Sequence, residues 1–317
     1  MNSAAMSACL KAYGSHSQAF STLQPGLSYF CIPGLGYLAY AERLGVRCVL
    51  SDPVCHPMHR AVMLDAFMAE HSDALFVQAS KPVIDHLHRN YGYYGTQFGT
   101  ELKVDFATWS LGGSKKKVIR TAVNQARCQG IAIRESAARH DVEDVSQAWI
   151  RTRRCSRNEI GFLIRPATGV LAEGTRMFYA YRDGKAIGFI FFDPSYVDGR
   201  VVSYVPNVSR ASASFRQGLW YALMAHAMEA FRSESIPQVD LGLVPLMMDE
   251  NLEPQESRPL RRTLAFIRER MDFLYNFKGL EFAKTRFQGA CHKTYCAHRS
   301  ALPLLSVIAL LRLTRLI

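Results

Sequence analysis

The sequence predicts an α+β protein made of two successive units, each a mixed, mostly antiparallel sheet flanked by helices. Two observations carry this prediction. The first half alternates strand-like and helix-like segments, and a new series of elements starts near Asp144. In the second half, Asp183-Gly184 and Asp198-Gly199 separate short runs rich in aromatic and β-branched residues, which is typical of antiparallel hairpins.

The first half predicts strands at residues 45–50 and 74–79 and helices at residues 59–71 and 81–90. Each strand is a short apolar run, and the first ends in a turn at Ser51-Asp52-Pro53. The aromatic, glycine-rich stretch that follows at residues 91–95 is predicted to be a loop.

A basic helix is predicted at residues 114–129, with Ser114 as N-cap and Gly130 as C-cap. Val118, Ala122 and Ala126 recur every four residues and are expected to face the core. The basic residues would then mostly occupy the outer surface of the helix: Lys115, Lys116, Lys117, Arg120 and Arg127.

The second half predicts a longer series: a helix at 144–154, strands at 177–181, 186–192 and 201–205, a helix at 216–231, a strand at 238–241 and a helix at 258–274. This order resembles the GNAT acyltransferase fold, and the first half resembles a weaker copy of it. The predicted organisation is an N-terminal GNAT-like unit at 1–134, a catalytic GNAT-like unit at 135–300, and an apolar and basic tail at 301–317.

The chain has 317 residues, a formal net charge of +11 and a pI of about 9.4. This positive excess favours a polyanionic partner, either nucleic acid or an anionic membrane surface, although a generic solvated basic surface gives the same balance. The eight cysteines include no CxxC pair, which indicates a reducing cytoplasm rather than a disulfide scaffold. The local cluster of Cys291, His292, Cys296 and His298 fits no common zinc spacing, so no metal is expected.

Five separated segments resemble the phosphatidylglycerol lysyltransferase family, whose members are aminoacyl-phosphatidylglycerol synthases. They are YNFKGL at 275–280 with Lys284 and Phe287 behind it, DLGLVPL at 240–246, the basic helix at 115–130, DPV at 52–54, and a set formed by Trp149, Glu159, Gly161 and Phe162. These segments occur in the family's order between about Tyr13 and Tyr295. The resemblance implies the family's catalytic half as a stand-alone module without a transmembrane part.

The resemblance implies transfer of an aminoacyl group from aminoacyl-tRNA, the co-substrate, with no further cofactor. GNAT enzymes that use coenzyme A hold its pyrophosphate with a glycine-spaced loop at the start of the central helix. Residues 209–218 (SRASASFRQG) lack that loop. This departure disfavours acyl-CoA and is expected for an aminoacyl-tRNA donor.

The resemblance assigns catalytic positions to Lys284, Glu250 and Arg210. Lys284 could hold the tRNA 3′ end or the oxyanion that develops during transfer, or it could be an ordinary surface lysine. Glu250 could bind the α-amino group of the aminoacyl moiety or take a proton, although Asp249 beside it is an equally acidic neighbour. The planar guanidinium of Arg210 suits a phosphate of lipid or tRNA.

Two positions depart from the family pattern. Asn207, also assigned to the catalytic set, stands where the family has an aspartate, and an amide cannot act as a general base. Tyr221 stands where a second aspartate is expected. These departures shift weight towards an amine acceptor, whose neutral form is already nucleophilic. The resemblance also implies substrate contacts at Tyr221, Asn276, Lys278 and Arg286.

Two basic regions are candidates for tRNA contacts that follow phosphates rather than base sequence. One is the helix at 114–129, with Lys115, Lys116, Lys117, Arg120 and Arg127. The other comprises Arg258, Arg261, Arg262, Arg268 and Arg270. A solvated helix face has the same composition, so each region taken alone leaves both interpretations open.

The apolar run at 301–311, followed by Arg312 and Arg315, is too short to span a bilayer as a helix. It predicts either a helix in the membrane interface or a terminal helix docked on the core. The N-terminus does not resemble a signal peptide, so the expected location is cytoplasmic, at most peripheral to the inner face of the membrane.

Four functions follow in order of preference. The first is aminoacyl transfer from tRNA to a lipid such as phosphatidylglycerol, and the second is the same transfer to a small amine. The third is an acyl-CoA N-acyltransferase. The fourth is a catalytically inactive module that binds RNA or a membrane.

Overall fold

The computed structural model describes residues 1–136, 142–151, 160–167, 173–211, 218–270 and 276–316. Nine α-helices are assigned in these ranges: α1 Ser3–Tyr13, α2 Arg60–Glu70, α3 Lys81–Tyr91, α4 Lys117–Cys128, α5 Val142–Arg151, α6 Leu219–Ser233, α7 Arg258–Arg270, α8 Phe277–Thr285 and α9 Leu304–Leu313. Three short 3₁₀ helices lie at Phe20–Leu23, Pro57–His59 and Ser114–Lys116.

The strands of the same ranges form one sheet. They are β1 Ser28–Ile32, β2 Gly36–Arg43, β3 Val46–Leu50, β4 Val54–Cys55, β5 Leu75–Ala79, β6 Tyr94–Asp105, β7 Ala132–Glu135, β8 Arg176–Arg182, β9 Lys185–Val197, β10 Arg200–Ala211, β11 Gln238–Pro245 and β12 Ala290–His298. Their order is β1-β2-β3-β5-β12-β6-β11-β10-β9-β8-β7, and β4 pairs with β2. The predicted α+β class with mostly antiparallel pairing is confirmed.

The sheet contains the same arrangement twice. In the first half β3 and β5 are parallel, and the intervening α2 connects them. In the second half β10 and β11 are parallel, and α6 connects them. Each parallel pair follows an antiparallel hairpin, β2–β3 or β9–β10, as the GNAT order requires. This repeat is the two-unit GNAT-like fold that the sequence predicts.

The two units exchange their last strands. β6, which ends the first series, pairs with β11 of the second, and β12, which ends the second, pairs with β5 of the first. β6 and β12 also pair with each other at the centre of the sheet. The sheet is therefore continuous across both series, and residue 134, the predicted boundary, lies within β7, which pairs with β8 of the second series.

Within the described residues, the parallel strands β10 and β11 pair with each other at only one end of their length. Their register contains two pairs, Ser203 with Gln238 and Tyr204 with Val239, although both strands continue beyond them. Gly242 has a φ of +72°, and the register of β11 against β6 shifts between Asp240 and Leu243. This bulge in β11 lies beside the opening between the two strands.

The helices cover both faces of the sheet. The largest core cluster lies under α4 and α6 and includes Leu102, Leu241 and Phe287. On α4, Ala122 and Ala126 are buried and the half-buried Val118 packs against the same cluster, as expected. Ile119, which was not part of the prediction, is fully buried.

Several boundaries differ from the sequence-based expectation. The predicted loop at 91–95 is wrong in its second part, because Tyr94 and Gly95 already belong to β6. The predicted helices at 216–231 and 258–274 appear as α6 and α7. The first starts later than predicted, because Gly218 has a positive φ and is not helical, while residues 216–217 and 271–274 fall outside the described residues.

The C-terminal segment forms α9, which packs on β2 and β3 through Ala309 and Leu310. Its opposite side leaves Leu304, Leu305 and Ile308 exposed. The packing on β2 and β3 agrees with one predicted alternative, a terminal helix docked on the core. The exposed side is also compatible with the other alternative, a helix in the membrane interface. Within the described residues, no helix is both long and apolar enough to cross a membrane.

Candidate active site

Four charged side chains converge at the centre of the sheet: Glu101, Lys103, Asp240 and Lys284. Leu102 of β6 and Leu241 of β11 point into the core under α6, so the alternating residues Glu101, Lys103 and Asp240 point to the opposite face. In the antiparallel register, Lys103 lies opposite Asp240, and their charged groups are 3.6 Å apart. Lys284 reaches this face from the last turn of α8.

Lys284 is held by the bulge in β11. Its Nζ donates a hydrogen bond to the Leu243 carbonyl oxygen over 2.9 Å, and the residue is only 8% exposed. Leu243 lies opposite Glu101 in the β6 register. A Cβ on Gly242 would lie 3.7 Å from Lys284 Nζ and 3.5 Å from a Val205 methyl, so the amine lies beside the point where β10 and β11 diverge.

Burial controls the protonation of this cluster. It lowers the pKa of Lys284 to about 8, and the carboxylates of Asp240 and Glu101 oppose that shift. Burial also raises the pKa of Asp240, and the neighbouring ammonium of Lys103 opposes this shift. Burial raises the pKa of Glu101 as well, and the carboxylate of Asp240 increases that shift. Lys284 therefore exchanges between its charged and neutral forms near physiological pH, which suits it to accept and return a proton.

A hydrogen-bonded network fixes Glu101. Ser17 Oγ donates to Glu101 Oε1 over 2.5 Å, and Gln78 Nε2 donates to the same oxygen over 2.7 Å. Gln78 Oε1 accepts from Gln18 Nε2 over 3.1 Å. The segment after α1 is thereby tied to β5 and β6, and it forms one side of an open cavity.

The cavity has a volume of about 420 Å³ and lies between β5, β6 and β12. Its lining comprises His16, Ser51, Asp52, Gln78, Ser80, Lys81, Pro82, Glu101, Lys103, Cys291, His292, Lys293, Thr294 and Tyr295. Glu101 and Lys103 belong both to this lining and to the charged cluster, so the cavity borders the cluster, although Asp240 and Lys284 do not line it.

Asn207 lies in a separate polar group. Its Nδ2 donates to Asp193 Oδ2 over 2.5 Å, and its Oδ1 accepts from the Arg165 backbone N–H over 3.2 Å. The Arg165 guanidinium pairs with Asp193 at 2.5 Å. Asn207 Nδ2 also contacts Ser21 Oγ over 3.4 Å. A carboxylate is thus present beside Asn207, contributed by β9 rather than by β10.

Arg210 and Glu250 occupy contrasting environments. The guanidinium carbon of Arg210 lies 3.9 Å from the centre of the Trp149 ring, and Arg210 donates to the Ser209 carbonyl oxygen over 3.0 Å. Glu250 is exposed on the loop after β11. Neither residue lies in the cavity lining, and their assigned roles stay predictions.

The other expected substrate contacts surround α8. Asn276 caps this helix, since its Oδ1 accepts from the Gly279 N–H over 2.8 Å. Lys278 is exposed, and the Arg286 guanidinium lies 3.9 Å from the Phe282 ring centre. Tyr221 is buried against Phe287 in the core under α6, on the opposite face from Glu101 and Asp240.

The basic segment formed by the 3₁₀ helix at Ser114–Lys116 and by α4 presents only part of the predicted tRNA surface. Lys115, Lys117 and Arg127 are exposed. Lys116 is buried instead: its Nζ lies 5.1 Å from the Trp109 ring centre and donates to the Ser110 carbonyl oxygen over 2.8 Å. Arg120 donates to the carbonyl oxygens of Leu111 and Gly113, over 2.6 and 2.8 Å.

Sequence reasoning missed Glu101, Lys103 and His16 because no motif contains them. Asp240 could have been predicted, since it is the first residue of the DLGLVPL segment on which the resemblance depends. The expected absence of a metal site stays untested, although the described residues contain no cluster of three or more potential ligands.

The repeated strand order, with a parallel pair after a hairpin in each series, defines a GNAT-like protein. Residues 7–298 match the family described as "Phosphatidylglycerol lysyltransferase, C-terminal", and the chain belongs to this family. The expectation of a transferase is supported by that membership.

Three similar proteins illustrate the match. A phosphatidylglycerol lysyltransferase of Bacillus subtilis (strain 168) is 22% identical over 282 residues, which cover 86% of this chain and 32% of that protein. The chain thus spans about a third of that relative's length. The C-terminal domain assigned to a lysylphosphatidylglycerol synthetase of Agrobacterium fabrum superposes with a TM-score of 0.78 at 18% identity, covering 98% and 96% of the two chains. The L-PGS of Bacillus licheniformis gives 0.77 at 18% identity, with 99% and 97% covered.

Proposed function

We propose that the chain transfers an aminoacyl group from aminoacyl-tRNA to a hydroxyl group of a lipid such as phosphatidylglycerol. The observation that carries this proposal is Lys284, a buried lysine whose pKa is lowered to about 8 at the opening between β10 and β11. Family membership supplies the reaction class. The donor ester is already activated, so aminoacyl-tRNA is the co-substrate and no further cofactor is required.

The proposed reaction exchanges one ester for another. The acceptor oxygen attacks the carbonyl carbon of the donor ester, and the bond to the terminal ribose oxygen of the tRNA breaks. Neutral Lys284 takes the proton of the attacking hydroxyl and delivers it to the departing ribose oxygen. Between these two steps its ammonium form stabilises the oxyanion. Asp240 is a positioning residue that favours this ammonium form.

A lysine in this role removes the need for a base at Asn207. The amide of Asn207 holds Asp193 in place by a 2.5 Å hydrogen bond instead. The argument that favoured a small amine acceptor depended on the missing aspartate, and it loses weight once Lys284 can take the proton.

The surface of α9 supports a lipid acceptor. Leu304, Leu305 and Ile308 are exposed on one side of the helix, and Arg312 follows one turn later on the same side. Aliphatic side chains beside arginines suit the interface of an anionic bilayer. We place the reaction at the inner, cytoplasmic face of the membrane, where tRNA and lipid are both accessible.

The exposed cations Lys115, in the 3₁₀ turn before α4, and Lys117 and Arg127 of α4 are the proposed contacts with the tRNA backbone. Such contacts fix the orientation of the tRNA without reading its sequence. The choice of tRNA then depends on the acceptor end and on the cavity that receives the amino acid.

The test incubates the full chain with a pool of labelled aminoacyl-tRNAs and a total lipid extract, and follows the label. The expected result is label in the lipid fraction that disappears after treatment with ribonuclease. Parallel reactions supply small amines without lipid, or acyl-CoA without RNA. Full turnover with acyl-CoA would refute the proposal, and label only in the amine product would replace the lipid with the amine as acceptor.

A further inference from the structure

The cavity beside Glu101 contains buried polar groups that have no hydrogen-bond partner among the described residues. Both ring nitrogens of His16 are buried and make no hydrogen bond within the described residues. Thr294 is 5% exposed, and its buried hydroxyl likewise makes no hydrogen bond within the described residues. Both residues line the cavity. Buried polar atoms without partners carry an energetic cost, so a ligand that supplies hydrogen bonds here would recover it.

The lysines of the cavity wall are already neutralised. Lys293 pairs with Asp249 at 2.7 Å and with Glu253 at 2.9 Å. Lys81 pairs with Asp85 in the next helical turn. Lys103 pairs with Asp240 within the charged cluster. These cations therefore contribute little net positive charge to the centre of the cavity.

The two acidic residues that line the cavity, Asp52 and Glu101, differ in their hydrogen-bond and ion-pair partners. The two oxygens of Asp52 accept from the Ser80 N–H and the Ser80 hydroxyl at the start of α3. Glu101 accepts two bonds on Oε1, both from neutral donors, and makes no ion pair within the described residues. An anionic ligand such as phosphate would be repelled by the carboxylates of Asp52 and Glu101. A cation that donates hydrogen bonds would meet Glu101 and His16, whose pKa is lowered by burial.

We infer that this cavity binds a primary ammonium group, held between Glu101, His16 and Thr294. The ammonium belongs to the aminoacyl moiety of the donor, an inference that rests on the proposed function. It is either the α-amino group, present in every aminoacyl ester, or the side-chain amine of a basic amino acid. The role that sequence reasoning gave to the exposed Glu250 thus passes to Glu101, which is buried and adjoins Lys284.

Binding should be measured by isothermal titration of the full chain with amino-acid amides, which resemble the ester without being consumed. L-alaninamide presents only the α-amine, and Nα-acetyl-L-lysinamide presents only the side-chain amine. The stronger binder identifies the source of the ammonium. Nα-acetyl-L-alaninamide, with neither amine, is expected not to bind.

Glu101→Gln should weaken binding of the preferred amide about tenfold or more, as loss of a charge-assisted hydrogen bond predicts. Glu42→Gln, which alters an exposed acid of β2 paired with Arg47, should bind as wild type does. If Glu101→Gln does not fold, Thr294→Val and His16→Gln decide the question, since each removes one proposed partner. Equal affinity in all folded variants would overturn the inference.

Proton release provides an independent readout. Burial raises the pKa of Glu101, and a bound ammonium lowers it again, so binding should release a proton to the buffer. The charged or titratable groups facing Glu101 are Lys103, Asp240, Lys284, His16 and His292. Titrations in two buffers of different ionisation enthalpy measure the release, and Glu101→Gln should abolish it. A release that persists in this variant would assign the proton to another group of the set and count against Glu101.

The two proposals fail in different ways. Transfer of label to lipid without measurable binding of any amide would retain the function and overturn this site. Binding that depends on Glu101 without any transfer would retain the site and overturn the function.

Discussion

Replacing Lys284 with methionine removes the amine while keeping an unbranched side chain of similar length. We expect transfer to fall by about a hundredfold, because loss of one preorganised electrostatic contact costs on the order of 3 kcal/mol in the transition state. The assay is single-turnover transfer from aminoacyl-tRNA to lipid, with spontaneous ester hydrolysis subtracted. Lys185→Met, at the exposed start of β9, is the matched control and should react as wild type does.

The same substitution should leave the fold intact or stabilise it. Lowering the pKa of Lys284 from 10.5 to about 8 corresponds to roughly 3 kcal/mol of unfavourable burial of the charged form. The loss of the bond to Leu243 costs about 1 kcal/mol. At neutral pH the melting temperature of Lys284→Met should therefore equal or exceed that of wild type.

The pH dependence of transfer distinguishes two roles of Lys284, that of a neutral general base and that of a permanently charged cation. Because the folded pKa of Lys284 lies below the unfolded one, the folded chain binds fewer protons between about pH 8 and 10.5, and the free energy of unfolding increases with pH there. The burial cost is complete below about pH 8. Transfer should rise as pH approaches 8 and then level off, and Lys284→Arg, which stays charged, should be nearly inactive throughout. An unchanged rate in Lys284→Met, or an active Lys284→Arg with a flat pH profile, would refute the role of the neutral amine.

Three further predictions concern neighbouring features. Leu305→Asp combined with Ile308→Asp should weaken binding to vesicles containing phosphatidylglycerol without lowering the melting temperature, because both side chains are exposed; a lower melting temperature with unchanged binding would mean that α9 only docks. Asn207→Asp should place a second carboxylate 2.5 Å from Asp193, so its melting temperature should fall below that of wild type as pH rises from about 4 to 7; equal curves would contradict the contact. Gly242→Ala should destabilise the chain by about 1 kcal/mol, since its φ is +72°; an unchanged melting temperature would contradict this backbone strain.

The sequence predicted the order of elements because that order depends on local signals. The Asp-Gly turns at 183–184 and 198–199 gave the hairpins β8–β9 and β9–β10. The central strands were harder to predict. β6 is rich in glycine, threonine and charge, and β12 reads ACHKTYCAH, so neither resembles a buried strand. Both lie at the centre because they pair with strands of the opposite unit, which no local pattern reveals.

The same limitation applied to the site. Lys284 was found through its motif, whereas Glu101 and Lys103 lie on a strand that had not been predicted. Asp240 lay inside a quoted motif, but its importance depends on Lys103 standing opposite it in the register. Asn207 was read as a missing base, and only the β9–β10 pairing shows that Asp193 stands next to it. Long-range pairing, rather than residue type, separated what could be predicted from what could not.

Strand exchange explains why the charged cluster needs both units. Glu101 and Lys103 come from the strand that ends the first series, whereas Asp240 and Lys284 come from the second. If each unit kept its own last strand, β11 would pair with β12, and residues of β12 would occupy the positions of Glu101 and Lys103. The exchange instead places Glu101 beside Lys284, and its carboxylate, together with that of Asp240, opposes the effect of burial, so that the pKa of Lys284 is lowered only to about 8. The second unit thus carries Lys284 and Asp240, and the first unit adds Glu101, the second carboxylate that acts on the pKa of this lysine.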